Sequence, residues 1–257
     1  MSGEPGAVAR RLRLEWGIVA AVALAVLALG LRFFDEVATA TGGPGWLAVA
    51  GAVLAYEVGF LWYHLDRNRT VSGRIRASLG LANAVTLLRG VLYAVVAGFV
   101  LVPPTGPVVQ WVPGICYGAG AALDFVDGYV ARRAGLETVL GGKLDHAFDT
   151  LGFLVAPLVG VAWGQLPVWY LALSAARYCF RAGRAWRRWR GRSVFPLPES
   201  RLRRRLAAGQ MAFIAAALLP VTPAAVVFPA ATVALAASLA VFGRDWLAVS
   251  GRLSREQ

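Results

Sequence analysis

Residues Asp124-Phe-Val-Asp127-Gly128-Tyr-Val-Ala131-Arg132, followed eight residues later by Gly141 and then by Asp145 and Asp149, decide how the rest of the chain is read. In a helix, spacings of three and four place side chains on one face. Asp124, Asp127, Gly128, Ala131 and Arg132 then share one stripe, and Gly141, Asp145 and Asp149 share another. Both stripes fall in strongly apolar surroundings, where a carboxylate without a partner is costly and marks function. Four carboxylates facing one another repel unless cations lie between them. Ligands that are all oxygen suit hard divalent ions, Mg²⁺ or Mn²⁺. The glycines and the alanine clear room beside such ions, and Arg132 offers a planar fork for phosphate.

The surroundings point to a membrane. The chain has 257 residues, 58% of them hydrophobic, and a mean hydropathy of +0.60, the composition of a polytopic membrane protein. Arg10, Arg11 and Arg13 precede an apolar run long enough to span a bilayer, so no cleavable signal peptide is read there. The net charge is +12, and Lys143 is the sole lysine. Because the arginines gather in a few loops between apolar runs, membrane lipids and not nucleic acid are the expected partner. Cys116 and Cys179 lie in apolar segments and imply small packing residues, not a disulfide framework.

Apolar runs predict eight spans, near 15–34, 45–64, 84–103, 108–130, 146–164, 167–182, 206–221 and 223–243. Segments 1–14, 65–82, 131–144, 183–205 and 244–257 hold most of the arginines, whereas 35–44, 104–107, 165–166 and 222 hold none. The positive loops face the cytoplasm, which places both termini and the acidic loop on that side. Residues 65–82 mix basic and apolar residues in a stretch too charged to span, and read as an interfacial segment. Glu57, near the middle of the second span, reads as a polar contact with another helix. Pro113 and Gly114 are expected to bend the fourth span. His146 points off the Asp145–Asp149 stripe and is expected to pack or hydrogen-bond. Arg177, Arg181, Arg184 and Arg188 recur at helical spacing, with Arg177 and Arg181 at the edge of the apolar run, where a phosphate-bearing ligand would suit them. The other arginines read as topological anchors and headgroup contacts.

The pattern D-x2-D-G-x2-A-R-x8-G-x3-D-x3-D resembles the signature of the CDP-alcohol phosphatidyltransferases at every fixed position. Asn83-Ala-Val-Thr86-Leu-Leu-Arg89 resembles the family's looser N-x-x-T-x-x-R signature, with Ala82 where a proline usually precedes it. The resemblance implies an all-α integral membrane protein. It would have a six-helix catalytic bundle, here residues 65–257 with the interfacial segment, preceded by a two-helix transmembrane extension over 1–64. It implies transfer of a phosphatidyl-type group from a CDP-linked lipid such as CDP-diacylglycerol to a hydroxyl acceptor, with release of CMP, in phospholipid biosynthesis. Two divalent ions, Mg²⁺ or Mn²⁺, would be held by Asp124, Asp127, Asp145 and Asp149, the first three as main ligands. Asp149 would also be the catalytic base. Asn83, Thr86, Gly128, Ala131, Arg132 and Gly141 would shape the pocket for the cytidine diphosphate moiety, and the family suggests a homodimer.

The residues alone call for a base near the metal ions without choosing among the aspartates. They also leave a second class open, a polytopic cation or proton transporter using intramembrane carboxylates. Transport sites usually lie near the bilayer midplane in repeated halves, whereas these acids cluster about one loop and no repeat is visible. The acceptor stays open among glycerol phosphate, inositol phosphate, serine and another phospholipid. Members similar to inositol-phosphate transferases carry an R-A-R-A-E-like run; Arg181-Ala-Gly-Arg184-Ala-Trp lacks the glutamate, which weighs against inositol phosphate.

Overall fold

A computed structural model of the chain describes residues 5–38, 42–70, 72–134, 138–197 and 200–253, with the side chains at 5, 38 and 125–134 left aside. Among these residues there are eight α-helices and no β-strand: α1 Pro5–Phe33, α2 Gly43–His64, α3 Gly80–Gly98, α4 Val112–Ala134, α5 Val139–Ala162, α6 Ala172–Trp189, α7 Arg201–Ala217 and α8 Ala224–Val249. Five stretches are long and apolar enough to cross a membrane, Gly6–Val37, Gly43–Arg67, Gly80–Leu101, Val139–Ala162 and Ala224–Val249. The protein is therefore an all-α integral membrane protein. The other three helices carry charge that composition alone counts against a span: the acidic motif in α4, and arginines in α6 and α7.

Helix ends follow local chemistry. Ser200 and Thr138 cap α7 and α5, their side chains accepting from the backbone N–H groups of Arg203 and Gly141. Pro113 does not bend a span in progress, because α4 begins at Val112. In the first turn a missing N–H costs nothing, so the proline starts the helix that it was expected to kink.

α3 is the hub, packed against α2, α4 and α5. Tyr93 on α3 is fully buried and clamped between two glycines. A Cβ at Gly120 of α4 or at Gly152 of α5 would lie 2.6 Å from its ring. The bare backbones let three helices close on one aromatic ring, and this sets their spacing one turn from Arg89. The first two helices are welded to the same hub. The Trp46 indole of α2 covers the backbone of Gly30 in α1 and Gly98 in α3, and its Nε1 donates to the Val95 carbonyl at 3.2 Å. Trp16 of α1 donates to the Val58 carbonyl of α2 at 2.9 Å.

The stretch between α2 and α3 is a folded connector. Asn68 is buried and donates to the carbonyls of Arg76 and Ser78, Arg69 and Ile75 form an isolated bridge, and the Val139 N–H at the start of α5 donates to the Arg69 carbonyl at 2.8 Å. Glu15 of α1 accepts from the Leu79 N–H at 2.6 Å, where α3 starts with its N–H groups otherwise open. Extension, connector and α5 are thus tied at the end of the bundle that carries the aspartates.

Candidate active site

Three of the four signature aspartates come together. Asp124 is on the last described turn of α4 side chains, and Asp145 and Asp149 are one turn apart on α5. Each offers a carboxylate oxygen, and the three atoms lie within 4.8 Å of one another. Asp127, Gly128, Ala131 and Arg132 are on α4 as expected, but their side chains lie outside the described residues.

At the centre of the three acids is Arg89. Its side chain is 0% exposed, so water cannot solvate the charge. The guanidinium pairs with Asp124, with Asp145 at 2.7 Å and with Asp149 at 3.3 Å, and Nη2 also reaches the Asp145 carbonyl at 3.4 Å. A buried charge needs such partners, and the planar fork lets one side chain serve carboxylates on two helices. Arg89 brings one positive charge to three carboxylates, and the charge of Arg177 also bears on Asp149. The all-oxygen set is the donor chemistry that hard divalent ions require, so the residues present fit a Mg²⁺ or Mn²⁺ site.

Sequence reasoning assigned Arg89 no role. The signal was there, since an arginine in the interior of an apolar helix needs a partner by default.

Asn83 and Thr86, one turn apart on α3, are buried near the start of α5. Asn83 donates to the Leu79 carbonyl at 2.9 Å and approaches Thr138 Oγ1 at 3.5 Å. Thr86 donates to the Ala82 carbonyl. Gly141 has a structural use beside the one expected of it, because a Cβ there would lie 2.6 Å from Asn83 Oδ1. The two signatures are therefore in contact, the first on α3 and the second on α5.

The arginine pair expected to meet phosphate flanks the cluster on the side of α6. Arg177 stacks its guanidinium 3.6 Å from the centroid of the Phe153 ring, and Arg181 hydrogen-bonds His146 Nε2. Both line a cavity of about 310 Å³ together with Arg184 and Arg203. Arg187 donates to the carbonyls of Ser193 and Ser250 and ties the chain after α6 to the end of α8. Glu57 is buried on α2 and its carboxylate packs against Gly90 of α3, but Oε1 has no hydrogen-bond partner among the described residues, so the expected polar contact is not seen.

Sequence comparison now decides the family. The family model for CDP-alcohol phosphatidyltransferase matches residues 79–242, more than half of the chain and all of the cluster. The chain belongs to that family. No curated protein matches the chain at a significant level. As a CDP-alcohol phosphatidyltransferase it acts on a CDP-alcohol and an alcohol acceptor, transferring a phosphatidyl-type group between them. The matched region contains Arg89, Asp124, Asp145 and Asp149, which removes the reason for reading those acids as a transport site. It begins at α3, so α1 and α2 lie outside it.

Proposed function

We propose that the chain moves a substituted phosphate from a CDP-linked lipid alcohol such as CDP-diacylglycerol to a hydroxyl acceptor, releasing CMP at the cytoplasmic side of the membrane. The observation that carries this reading is the convergence of Asp124, Asp145 and Asp149, at the family's motif positions, on one point between α4 and α5. Asp124, Asp127 and Asp145 would be the main ligands of two divalent ions, with Asp149 sharing them. Ions held there supply charge neutralisation for the transferred phosphate and its leaving group.

The chain's own residues do the rest. Asp149 takes the proton of the acceptor hydroxyl, whose oxygen attacks the phosphorus attached to the lipid alcohol as the bond to CMP breaks. Arg89 holds the acids from α4 and α5 in register, so that the base does not drift from its neighbours. Asn83, Thr86, Gly128, Ala131, Arg132 and Gly141 form the pocket for the cytidine diphosphate, supported by the contact between Asn83 and Gly141. Arg177 and Arg181 take the phosphate of the acceptor or of the lipid, supported by the cavity that they line. Eight helices crossing with both termini cytoplasmic, an extension over 1–64 ahead of a catalytic unit over 65–257, and a homodimer complete the proposal.

The test is CMP release from CDP-diacylglycerol by purified protein, with Mg²⁺ or Mn²⁺ and a panel of glycerol phosphate, inositol phosphate, serine and phospholipid acceptors. Acceptor-dependent, metal-dependent CMP release supports the proposal, and its absence with every acceptor overturns it.

A further inference from the structure

A groove of about 670 Å³ runs between α2, α5 and α6 beside the aspartate cluster, and shares His146, Thr150 and Arg181 with the cavity that Arg177 lines. Its walls grade from polar to apolar in the same sense on both long helices. At the end where α2 finishes and α5 begins stand His64 and Lys143; one turn further in stand Phe60 and Ala147; beyond them stand Tyr56 and Leu151. From Lys143 to Leu151 is eight residues of helix, about 12 Å, most of the roughly 15 Å half-thickness of a bilayer core. Arg181 of α6 joins the lining, and among the described residues no carboxylate does.

Lys143 at the mouth, Arg181 beside His146 one turn further in, and the apolar Phe60, Ala147 and Leu151 match one kind of molecule. A small water-soluble anion would use the mouth and leave the trough unexplained. A neutral apolar chain would use the trough and leave Lys143 and Arg181 unexplained. We propose that this groove is a binding site for an anionic phospholipid, with its phosphate at Lys143 and Arg181 and an acyl chain lying along Phe60 and Leu151. Basic groups at headgroup depth attract anionic lipid, and burial of an acyl chain adds about 0.8 kcal/mol per methylene.

Tyr56 and Phe60 belong to α2, outside the matched residues 79–242. The extension therefore has a ligand-binding use beyond anchoring, and a family member without it would lack one wall of the site. The groove meets the cavity of the proposed reaction at Arg181, so Lys143, which no step of that reaction uses, is the residue that reports on it.

Lys143 is the sole lysine, which makes its reaction with an amine-directed acylating reagent a one-site measurement, with the α-amino group of the chain as internal reference. The protein is placed in phosphatidylcholine nanodiscs with and without a minor fraction of phosphatidylglycerol, and Lys143 acylation is followed by peptide mass spectrometry. Phosphatidylglycerol at about ten times its dissociation constant should slow Lys143 acylation about tenfold relative to the reference. Glycerol phosphate added to phosphatidylcholine nanodiscs should not slow it. Leu151→Trp and Phe60→Trp, which fill the trough at different depths, should each abolish the slowing without altering acylation in phosphatidylcholine alone. Equal slowing by phosphatidylcholine and phosphatidylglycerol, or by glycerol phosphate, overturns the proposal. So does slowing that persists in both folded tryptophan variants. Protection that grows with protein concentration in phosphatidylcholine alone would mean that a second copy covers the groove, and this too overturns it.

Discussion

Nη2 of Arg89 on α3 lies 3.3 Å from Oδ1 of Asp149 on α5, and the same guanidinium reaches Asp124 on α4. One buried cation thus joins the three helices that carry the family's two signatures. Tyr93 sits one turn along α3, between Gly120 and Gly152. Gly120 is one turn from Asp124 and Gly152 one turn from Asp149. Ion cluster and aromatic clamp are stacked layers of one three-helix junction.

Replacing Arg89 should expose what the cluster needs. Arg89→Gln leaves three partly exposed carboxylates without their buried cation, a loss below the ~3–5 kcal/mol of a fully buried pair. In detergent the variant should melt well below the unaltered protein, and Mn²⁺ should raise its Tm by more than it raises the unaltered protein's. Arg89→Lys, which keeps charge but not the fork, should fall between. Identical Mn²⁺ shifts in all three would show that arginine and metal do not share these acids.

The clamp makes a packing prediction. Gly152→Ala places a methyl group 2.6–2.9 Å from the Tyr93 ring, and overpacking of this kind costs about 1–3 kcal/mol. Gly243→Ala in α8 meets nothing within 4 Å and should be neutral or stabilising by about 0.4–1 kcal/mol. Thermal unfolding of the two variants checks the contrast.

For the arginines of α6, loss of a charge-assisted contact to phosphate costs about 1.5–3 kcal/mol. Arg177→Gln and Arg181→Gln should weaken kcat/KM by that amount. Arg190→Gln, exposed beside Trp186 and Trp189, should change little. Equal losses at all three positions would indicate general attraction to the lipid surface.

Topology can be read by labelling single cysteines in a Cys116→Ser, Cys179→Ser background. Cysteine at Ser72 or Ser193, both exposed, should react from the cytoplasmic side, and cysteine at Thr105 from the opposite side. Labelling of Ser72 and Thr105 positions from the same side would contradict the orientation.

Much of this architecture was legible because apolar runs and helices coincide. All eight apolar runs overlap an observed helix, though only five of the helices are long and apolar enough to cross a membrane, and the helix bounds differ at the ends. α1 begins at Pro5, ten residues before its apolar run, since Arg10, Arg11 and Arg13 suit a helix well while excluding a span. The aspartates were legible because fixed spacing on a helix fixes a face. That Arg89 needs a partner was legible too, but which acids it meets and the Tyr93 clamp were not, because a role set by which helices meet cannot be read from the period of one helix. The connector over 65–79 was read by its charge, but its order comes from Asn68 and Glu15 bonding to backbone groups distant in sequence. The contacts of Arg187 were hidden for the same reason: nothing in its own helix reveals the carbonyls of Ser193 and Ser250.

The most direct measurement of the catalytic role is CMP release by Asp149→Asn and Asp124→Asn across a Mn²⁺ titration, with CDP-lipid binding followed by thermal shift in the same samples. Asp149→Asn keeps size and one acceptor oxygen but cannot take the hydroxyl proton, a loss worth about 10²–10⁴-fold in rate. It should bind CDP-lipid with metal and turn over poorly at every Mn²⁺ concentration, whereas Asp124→Asn should recover part of its rate as Mn²⁺ rises. Recovery of Asp149→Asn as full as that of Asp124→Asn would contradict the assignment, making Asp149 a metal ligand and placing the base elsewhere.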